Sequence, residues 1–176
     1  RRGTSSALHM KNPYAFTLLL GIGLLSGAGC QSNKETLLMG DFFTGNLMSY
    51  KNGKMDIIAS GFRGADAIEQ DGDMLYVSSW PLGKVWSYNL GTQEQKELKG
   101  DFTTAADFYL DRASKQLVVP DMLESKIHFL KLNNDGTATV TKTLDAPSKP
   151  ESVCRGFDGK LYVTMINGDE PGDGGI

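Results

Sequence analysis

Short apolar segments alternate with turn-forming polar residues along most of the chain. These segments begin about forty residues apart, and each is followed by a break and a second strand-like segment. They are too short for helices and are bounded by Gly, Asn, Asp or Pro, which is the pattern of β-strands joined by tight turns. The four segments are Leu37-Leu38-Met39, Leu75-Tyr76-Val77, Leu117-Val118-Val119 and Leu161-Tyr162-Val163.

The second repeat shows the predicted unit most clearly. Asp71-Gly72 supplies the turn between its first two strands, and Pro81 and Gly83 break the chain before the third. Several strands in one repeating order predict an all-β β-propeller, in which every repeat is one four-stranded blade around a central channel. A β-sandwich is the main alternative, but nothing would make it repeat one order of turn, strand and break. The predicted strands of this repeat are residues 65–69, 74–78, 84–88 and 95–98.

The other repeats follow the same plan, with Pro120-Asp121 predicted as a break in the third. Residues 36–176 therefore predict a partial propeller of about three and a half blades, whereas closed rings have roughly four to eight. We expect the sequence to be truncated at its C-terminus; pairing of two chains into one ring is the alternative. The predicted strands are residues 36–39, 46–50 and 55–58, then 105–110, 116–119, 126–132 and 137–144, then 151–155 and 160–165.

The N-terminal part has the composition of a targeting segment. Residues 1–9 have no structural pattern and are interpreted as an upstream extension or vector residues. Residues 10–30 begin with Met and Lys, continue with an apolar run and end in small residues before Cys30, which predicts a secretory signal peptide. Small residues before Cys30 also resemble a bacterial lipobox, so lipidation of Cys30 is expected, with ordinary secretion as the alternative. Residues 31–35 would be a polar tether, and the protein would be exported to the cell envelope, facing the periplasm or exterior.

Charge and cysteine content exclude several classes of function. The formal net charge is −3 and there is no basic cluster, so nucleic-acid binding is not expected. The chain has 2 cysteines, and their spacing fits neither a disulfide framework nor a zinc site. Cys154 lies in a predicted inner strand, which predicts a small buried apolar residue. Membrane contact is expected through the lipid anchor only.

Three acidic residues occupy matching positions near the start of successive inner strands. They are Asp66, Asp107 and Glu151, again about forty residues apart. Inner strands surround the channel and run in one direction, so these carboxylates should converge at one mouth. Converging carboxylates either raise one another's pKa or recruit a cation, and Ca²⁺ prefers oxygen ligands of this kind. The alternative is that the acids only cap backbone N–H groups.

Other polar and aromatic residues have structural interpretations. His128 is expected among apolar neighbours, and Trp80 and Trp86 are expected to pack between blades. Residues 169–175 are acidic and glycine-rich without calcium-loop spacing, so they are predicted to form an exposed loop.

The segment from Pro150-Glu151-Ser152-Val153 to Asp158-Gly159-Lys160-Leu161-Tyr162-Val163 resembles a motif of gluconolactonase/regucalcin-like propellers and of the related NHL repeat. The resemblance implies a six-bladed ring with one divalent ion in its channel. It places Glu151 as a metal ligand and proposed base, Asp107 as a second ligand and Asp66 at a further channel position. Ser152 and Phe108 stand where the motif usually has Gly, and the first family ligand, a Glu, has no counterpart.

Two functions follow from this resemblance. The first is metal-dependent hydrolysis of a sugar lactone or related ester, with Glu151 and Asp107 as catalytic residues and Glu151, Asp107 and Asp66 around calcium, zinc or magnesium. The second is a non-catalytic NHL-like propeller that binds a protein or carbohydrate at the cell envelope. One superfold can host both functions, so the fold does not decide whether the protein is an enzyme.

Overall fold

The computed structural model describes residues 35–98, 102–166 and 174–175. Internal contacts divide the chain into Arg1–Asn33 and Lys34–Ile176, and all described residues lie in the second unit. The predicted signal peptide and Cys30 therefore lie outside the described residues. In the described part of the chain, no helix has the length and apolar character needed to span a bilayer.

The described residues form four antiparallel sheets that follow one another along the chain. In each sheet the strands lie in sequence order, so every sheet is one blade. This arrangement confirms the predicted all-β fold and its repeat. Blade 1 contains β1 (Leu37–Gly40), β2 (Leu47–Lys51) and β3 (Lys54–Ala59); blade 2 contains β4 (Ala65–Asp71), β5 (Met74–Ser79), β6 (Lys84–Asn89) and β7 (Gln95–Leu98); blade 3 contains β8 (Tyr109–Asp111), β9 (Gln116–Asp121), β10 (Lys126–Leu132) and β11 (Ala138–Asp145); blade 4 contains β12 (Lys149–Arg155), β13 (Leu161–Ile166) and β14 (Gly174–Gly175).

Alternating side chains of blade 2 fill two separate cores. In β5, Leu75 and Val77 pack with blade 1, whereas Tyr76 between them packs with blade 3. In β6, Trp86 contributes to the first core and Val85 to the second. Because successive side chains of a strand point to opposite faces, this division shows that blade 2 is covered on both faces by its neighbours.

Aromatic packing joins blades 1 and 2. Phe62 is fully buried and meets the rings of Trp86 and Tyr88 edge to face, with ring centroids 5.7 Å and 6.0 Å away. The Tyr88 hydroxyl donates to the Ile58 carbonyl of blade 1 at 3.1 Å. Trp86 therefore packs between blades as predicted, whereas Trp80 is exposed, contrary to the prediction.

Blade 3 departs from the prediction at its inner edge. The expected inner strand over residues 105–110 is only β8, because the Ala106 N–H bonds instead to the Pro120 carbonyl at 3.3 Å. The predicted break at Pro120 and Asp121 is also wrong, since both residues belong to β9. Pairing between β8 and β9 ends at Val118. Pro120 is therefore tolerated, because the proline nitrogen, which has no hydrogen to donate, faces the edge of β9 that β8 leaves unpaired.

Blade 4 corrects two further expectations. Cys154 is exposed rather than buried, because Val153 next to it faces the core and successive residues of β12 alternate between faces. Gly174 and Gly175 pair with Ile166 and Met165, so they form a strand and not the predicted loop. Residues 169–173 of that predicted loop lie outside the described residues.

Candidate functional site

The three repeated acids all lie where the inner segment of a blade begins. Asp66 is in β4, Glu151 is in β12, and Asp107 is in the bend that precedes β8. Pairing of Ala65 with Ser79 places the start of β4 beside the end of β5. The acids therefore lie at the end of the blades from which the loops between second and third strands project.

The acids from the three blades are close enough for their charges to interact. The pKa of Asp66 is raised above its usual value, first by partial burial of its carboxyl and then by the negative charges of Asp107 and Glu151. All three residues remain exposed to solvent. The repeat spacing thus brings these residues to one accessible place, although their chemical roles stay predictions.

Two of the three acids, Asp66 and Glu151, each lie in a β-bulge. The pairing register of β4 with β5 shifts between Ala65 and Ile68, around Asp66. The register of β12 with β13 shifts between Pro150 and Ser152, around Glu151. An extra residue on one strand re-aims its side chain, and bulges are common next to active sites. The side chains of Asp66 and Glu151 therefore do not follow the regular alternation between the two faces of their strands.

Equivalent hydroxyl groups satisfy the backbone at the two bulges. The Ala67 N–H donates to Ser78 Oγ, and the Ser152 N–H donates to Thr164 Oγ1, both at 3.1 Å. Ser78 and Thr164 follow the apolar triplets of their blades at the same position. A hydroxyl residue directly after the apolar triplet is therefore the sequence signal that marks these bulges.

Ser152 connects Asp107 to the strand that carries Glu151. Its hydroxyl donates to Asp107 Oδ2 at 2.6 Å, which ties the inner strand of blade 4 to the bend of blade 3. The residue that departs from the glycine of the resembled motif thus has a specific partner. One carboxylate oxygen of Asp107 is already engaged by this short hydrogen bond, which fixes its orientation.

The three acids fit a divalent ion in their chemistry but not in their arrangement. Carboxylate oxygens are suitable ligands for Ca²⁺ or Mg²⁺. Within residues 35–98 and 102–166, however, no three His, Cys, Asp or Glu side chains are positioned to hold an ion together. The acids as arranged do not form a ready metal centre, and divalent-ion binding stays a prediction of the sequence.

Two other polar residues in blade 3 have structural surroundings. Asp121 is buried and its carboxylate accepts hydrogen bonds from the N–H groups of Thr103, Thr104 and Glu124 and from the Thr104 hydroxyl. His128 packs its ring against Phe102 at 4.9 Å, and burial is the main cause that lowers its pKa. These contacts give both residues a structural role within blade 3.

Comparison with known proteins adds information about the fold. No protein-family model and no curated protein matches the sequence. Among solved structures, a chain of a nidogen/laminin complex matches with a TM-score of 0.63 and 18% identity, covering 75% of this chain and 52% of that one. A protein assigned as a gluconolactonase gives 0.62 and 16%, covering 74% and 53%. A protein from Bacteroides uniformis assigned as a 6-phosphogluconolactonase gives 0.62 and 14%, covering 76% and 45%.

These similarities establish architecture and not activity. The chain spans about half the length of each of these three proteins. Their low sequence identity leaves the fold as the shared property. The described blades confirm the resemblance proposed from the sequence motif at the level of the fold: the described part of the chain is a β-propeller domain, like these solved structures.

Proposed function

We propose that the protein is an exported lactonase-like hydrolase that opens a sugar lactone or related ester at the mouth formed by Asp66, Asp107 and Glu151. The observation that carries this proposal is the convergence of the three acids at one end of their blades, where the Ser152 hydroxyl donates to Asp107 Oδ2 at 2.6 Å. The raised pKa of Asp66, caused by partial burial and by the other two acids, supports it. A neighbouring pair of carboxyl groups in unlike environments can act as acid and base.

The proposed chemistry divides the work between two side chains. The Glu151 carboxylate accepts a proton from water while the water oxygen bonds to the carbonyl carbon. The ester C–O bond then breaks, and the Asp66 carboxyl gives its proton to the departing oxygen in the protonated form, whose share the raised pKa increases, leaving a hydroxy acid. Asp107, held by Ser152, orients the substrate hydroxyl groups. Proton exchange with solvent restores both carboxyl groups.

Kinetics of lactone opening test this proposal. We expect a panel of aldonolactones, followed by proton release, to include at least one substrate. Glu151→Gln should lower kcat/KM by about 10²–10⁴-fold, the usual contribution of a general base, and Asp66→Asn should also lower it. Asp73→Asn, which changes an exposed carboxyl in the turn after β4, is the matched control. Equal activity of Glu151→Gln and wild type would contradict the assignment.

The predicted divalent ion is tested separately. Calorimetric titration with Ca²⁺, Mg²⁺ and Zn²⁺ should be done on wild type and on Asp107→Asn and Glu151→Gln. Stoichiometric binding that both variants lose would support the metal-dependent form of the proposal. Turnover that is unchanged after chelation would support the acid–base form, since none of its steps passes through an ion.

Export and anchoring are part of the same proposal. Cells that express the full reading frame should place the protein in the envelope fraction and incorporate radiolabelled palmitate. Cys30→Ala should abolish incorporation without abolishing export, because the signal peptide over residues 10–30 remains. Soluble, unlabelled wild-type protein would leave ordinary secretion as the supported alternative.

A second candidate function is non-catalytic binding of a protein or carbohydrate at the envelope. The nidogen/laminin structure is an example of this fold in a protein complex. Lack of turnover on the whole lactone panel, together with saturable binding to an envelope component, would support this candidate over the hydrolase.

A further inference from the structure

A small apolar groove lies between blades 1 and 2. Its lining residues are Phe42, Phe43, Arg63, Gly64, Pro81 and Leu82, and its volume is about 400 Å³. That volume is within the roughly 300–1,000 Å³ of small-molecule sites. The groove is formed by the loops that follow β1 and β5 and by the segment that leads into β4.

The apolar walls of this groove are open to solvent. Phe43 is 89% exposed and Leu82 is 41% exposed. The Phe42 and Phe43 rings meet edge to face, with centroids 5.5 Å apart, so they present one aromatic wall. Solvent-facing aromatic and aliphatic side chains around a concavity are typical of a binding site rather than of a core.

Backbone hydrogen bonds fix the floor of the groove. The Gly64 N–H donates to the Phe42 carbonyl at 2.9 Å. The buried Ser79 hydroxyl donates to the Arg63 carbonyl at 2.7 Å and accepts from the Leu82 N–H at 3.3 Å. The three segments that line the groove are therefore held together before any ligand arrives, which lowers the entropic cost of binding.

Arg63 gives the groove a charge without a local counterion. Its side chain is exposed, and within the described part of the chain its guanidinium has no hydrogen-bond or ion-pair partner. Arg112 and Arg155 differ, because each holds a carboxylate of a neighbouring blade. The nearby Asp41 carboxylate is engaged by the N–H groups of Phe43 and Thr44.

We propose that this groove binds a small amphipathic carboxylate. Its apolar body would lie between Phe43 and Leu82, and its carboxylate would accept hydrogen bonds from the Arg63 guanidinium. Planar guanidinium groups bind carboxylates through paired N–H donors, which gives a preference for an anion over a neutral or cationic analogue. The proposal concerns blades 1 and 2 only and is independent of the chemistry of the three acids.

Calorimetry on the full chain with monomeric octanoate, octanol and octyltrimethylammonium tests the proposal. We expect octanoate to bind about tenfold more tightly than either analogue, in keeping with one charge-assisted contact. Arg63→Gln should remove this preference and leave octanol binding unchanged. Phe43→Ser should weaken octanoate and octanol alike, because it removes the shared apolar wall.

Matched variants outside the groove serve as controls. Lys51→Gln removes a positive charge elsewhere on blade 1, and Phe157→Ser removes an exposed phenylalanine from blade 4; both should bind octanoate like wild type. Melting curves establish that each variant is folded. Equal affinity for octanoate and octyltrimethylammonium would overturn the proposal, and so would binding only to anionic lipid vesicles, which would identify a membrane-contact surface instead.

Discussion

At the scale of single residues, one backbone position recurs in three blades, before β2 of blade 1, β6 of blade 2 and β10 of blade 3. It is occupied by Gly45, Gly83 and Ser125, with φ angles of 70°, 58° and 51°. These angles lie in the left-handed region, which glycine enters without steric cost and other residues enter rarely. At Gly83 a side chain is also excluded by space, since a Cβ would lie 1.9 Å from the Phe102 carbonyl oxygen. Ser125 adopts the same left-handed conformation, although serine is less suited to it than glycine.

Ser125→Gly should therefore stabilise the protein. The Ser125 side chain has no hydrogen bond among the described contacts, so nothing compensates for its left-handed backbone. Left-handed geometry costs a non-glycine residue about 1–2 kcal/mol, and the added flexibility of glycine in the unfolded chain offsets about half of that. We expect an increase of about 0.5–1 kcal/mol in the free energy of unfolding, measured by urea denaturation. Ser114→Gly is the control, because Ser114 lacks a positive φ and should gain nothing.

At the scale of elements, local patterns predicted most strands to within two residues of their observed bounds. The prediction for blade 2 was correct because its strands are determined locally. Alternating side chains, an Asp-Gly turn and a proline break all act within a few residues. The prediction for blade 3 was wrong where contacts with residues distant in sequence determine the structure. The Ala106 N–H of the predicted inner strand bonds to the Pro120 carbonyl, and the N–H groups of Thr103 and Thr104 just before it bond to the Asp121 carboxylate. Neighbouring sequence does not reveal these contacts.

Arginine side chains connect the inner strands of adjacent blades. Arg155 of blade 4 donates to Asp111 Oδ2 of blade 3 at 3.0 Å and lies 5.6 Å from the centroid of the Tyr109 ring. Arg112 of blade 3 donates in the same manner to Glu69 of blade 2 at 2.9 Å. These contacts act between blades, where the hydrogen bonds of the sheets do not reach.

Arg155→Ala should weaken the contact between blades 3 and 4. Loss of a charge-assisted hydrogen bond and a cation–π contact predicts a decrease of about 1–2 kcal/mol in the free energy of unfolding. The Asp111 carboxyl is subject to burial, which raises its pKa, but hydrogen bonds from Ser114 and the charge of Arg155 outweigh burial and lower it. A lowered pKa stabilises the fold above the unfolded value of about 3.9 and less so below it.

The difference between wild type and Arg155→Ala should therefore shrink as the pH falls through and below about 4. Thermal unfolding across this range measures it. Lys84→Ala is the comparison, since Lys84 and Glu97 form an exposed pair within one blade and should contribute less than about 1 kcal/mol. An effect of Arg155→Ala no larger than that of Lys84→Ala would show that the connection between blades has no special weight.

At the scale of the whole described domain, repetition is what made the candidate site predictable. Asp66, Asp107 and Glu151 are far apart in sequence, but equal positions in successive blades meet around one axis, and their electrostatic interaction agrees with that. The register shifts at the two bulges and the bond from Ser152 to Asp107 depend on contacts between residues that are far apart in the sequence. No periodicity in the sequence encodes those contacts, so only the structure could reveal them.

Convergence of acids should also make stability depend on pH. The raised pKa of Asp66 means that its ionised form is disfavoured in the folded protein, so stability is lost as the pH rises from the unfolded pKa through the folded one. Asp66→Asn removes that charge and should raise the free energy of unfolding at pH 7 by less than about 1 kcal/mol, because solvent screens an exposed cluster; the measurement is a small rise in melting temperature. The gain should vanish below about pH 3.9, where the wild-type carboxyl is protonated in both states. Asp73→Asn, in an exposed turn, should show no such gain, because of the two residues only Asp66 lies among converging charges. Equal stability of the two variants at both pH values would mean that the carboxylates of the three blades do not repel one another.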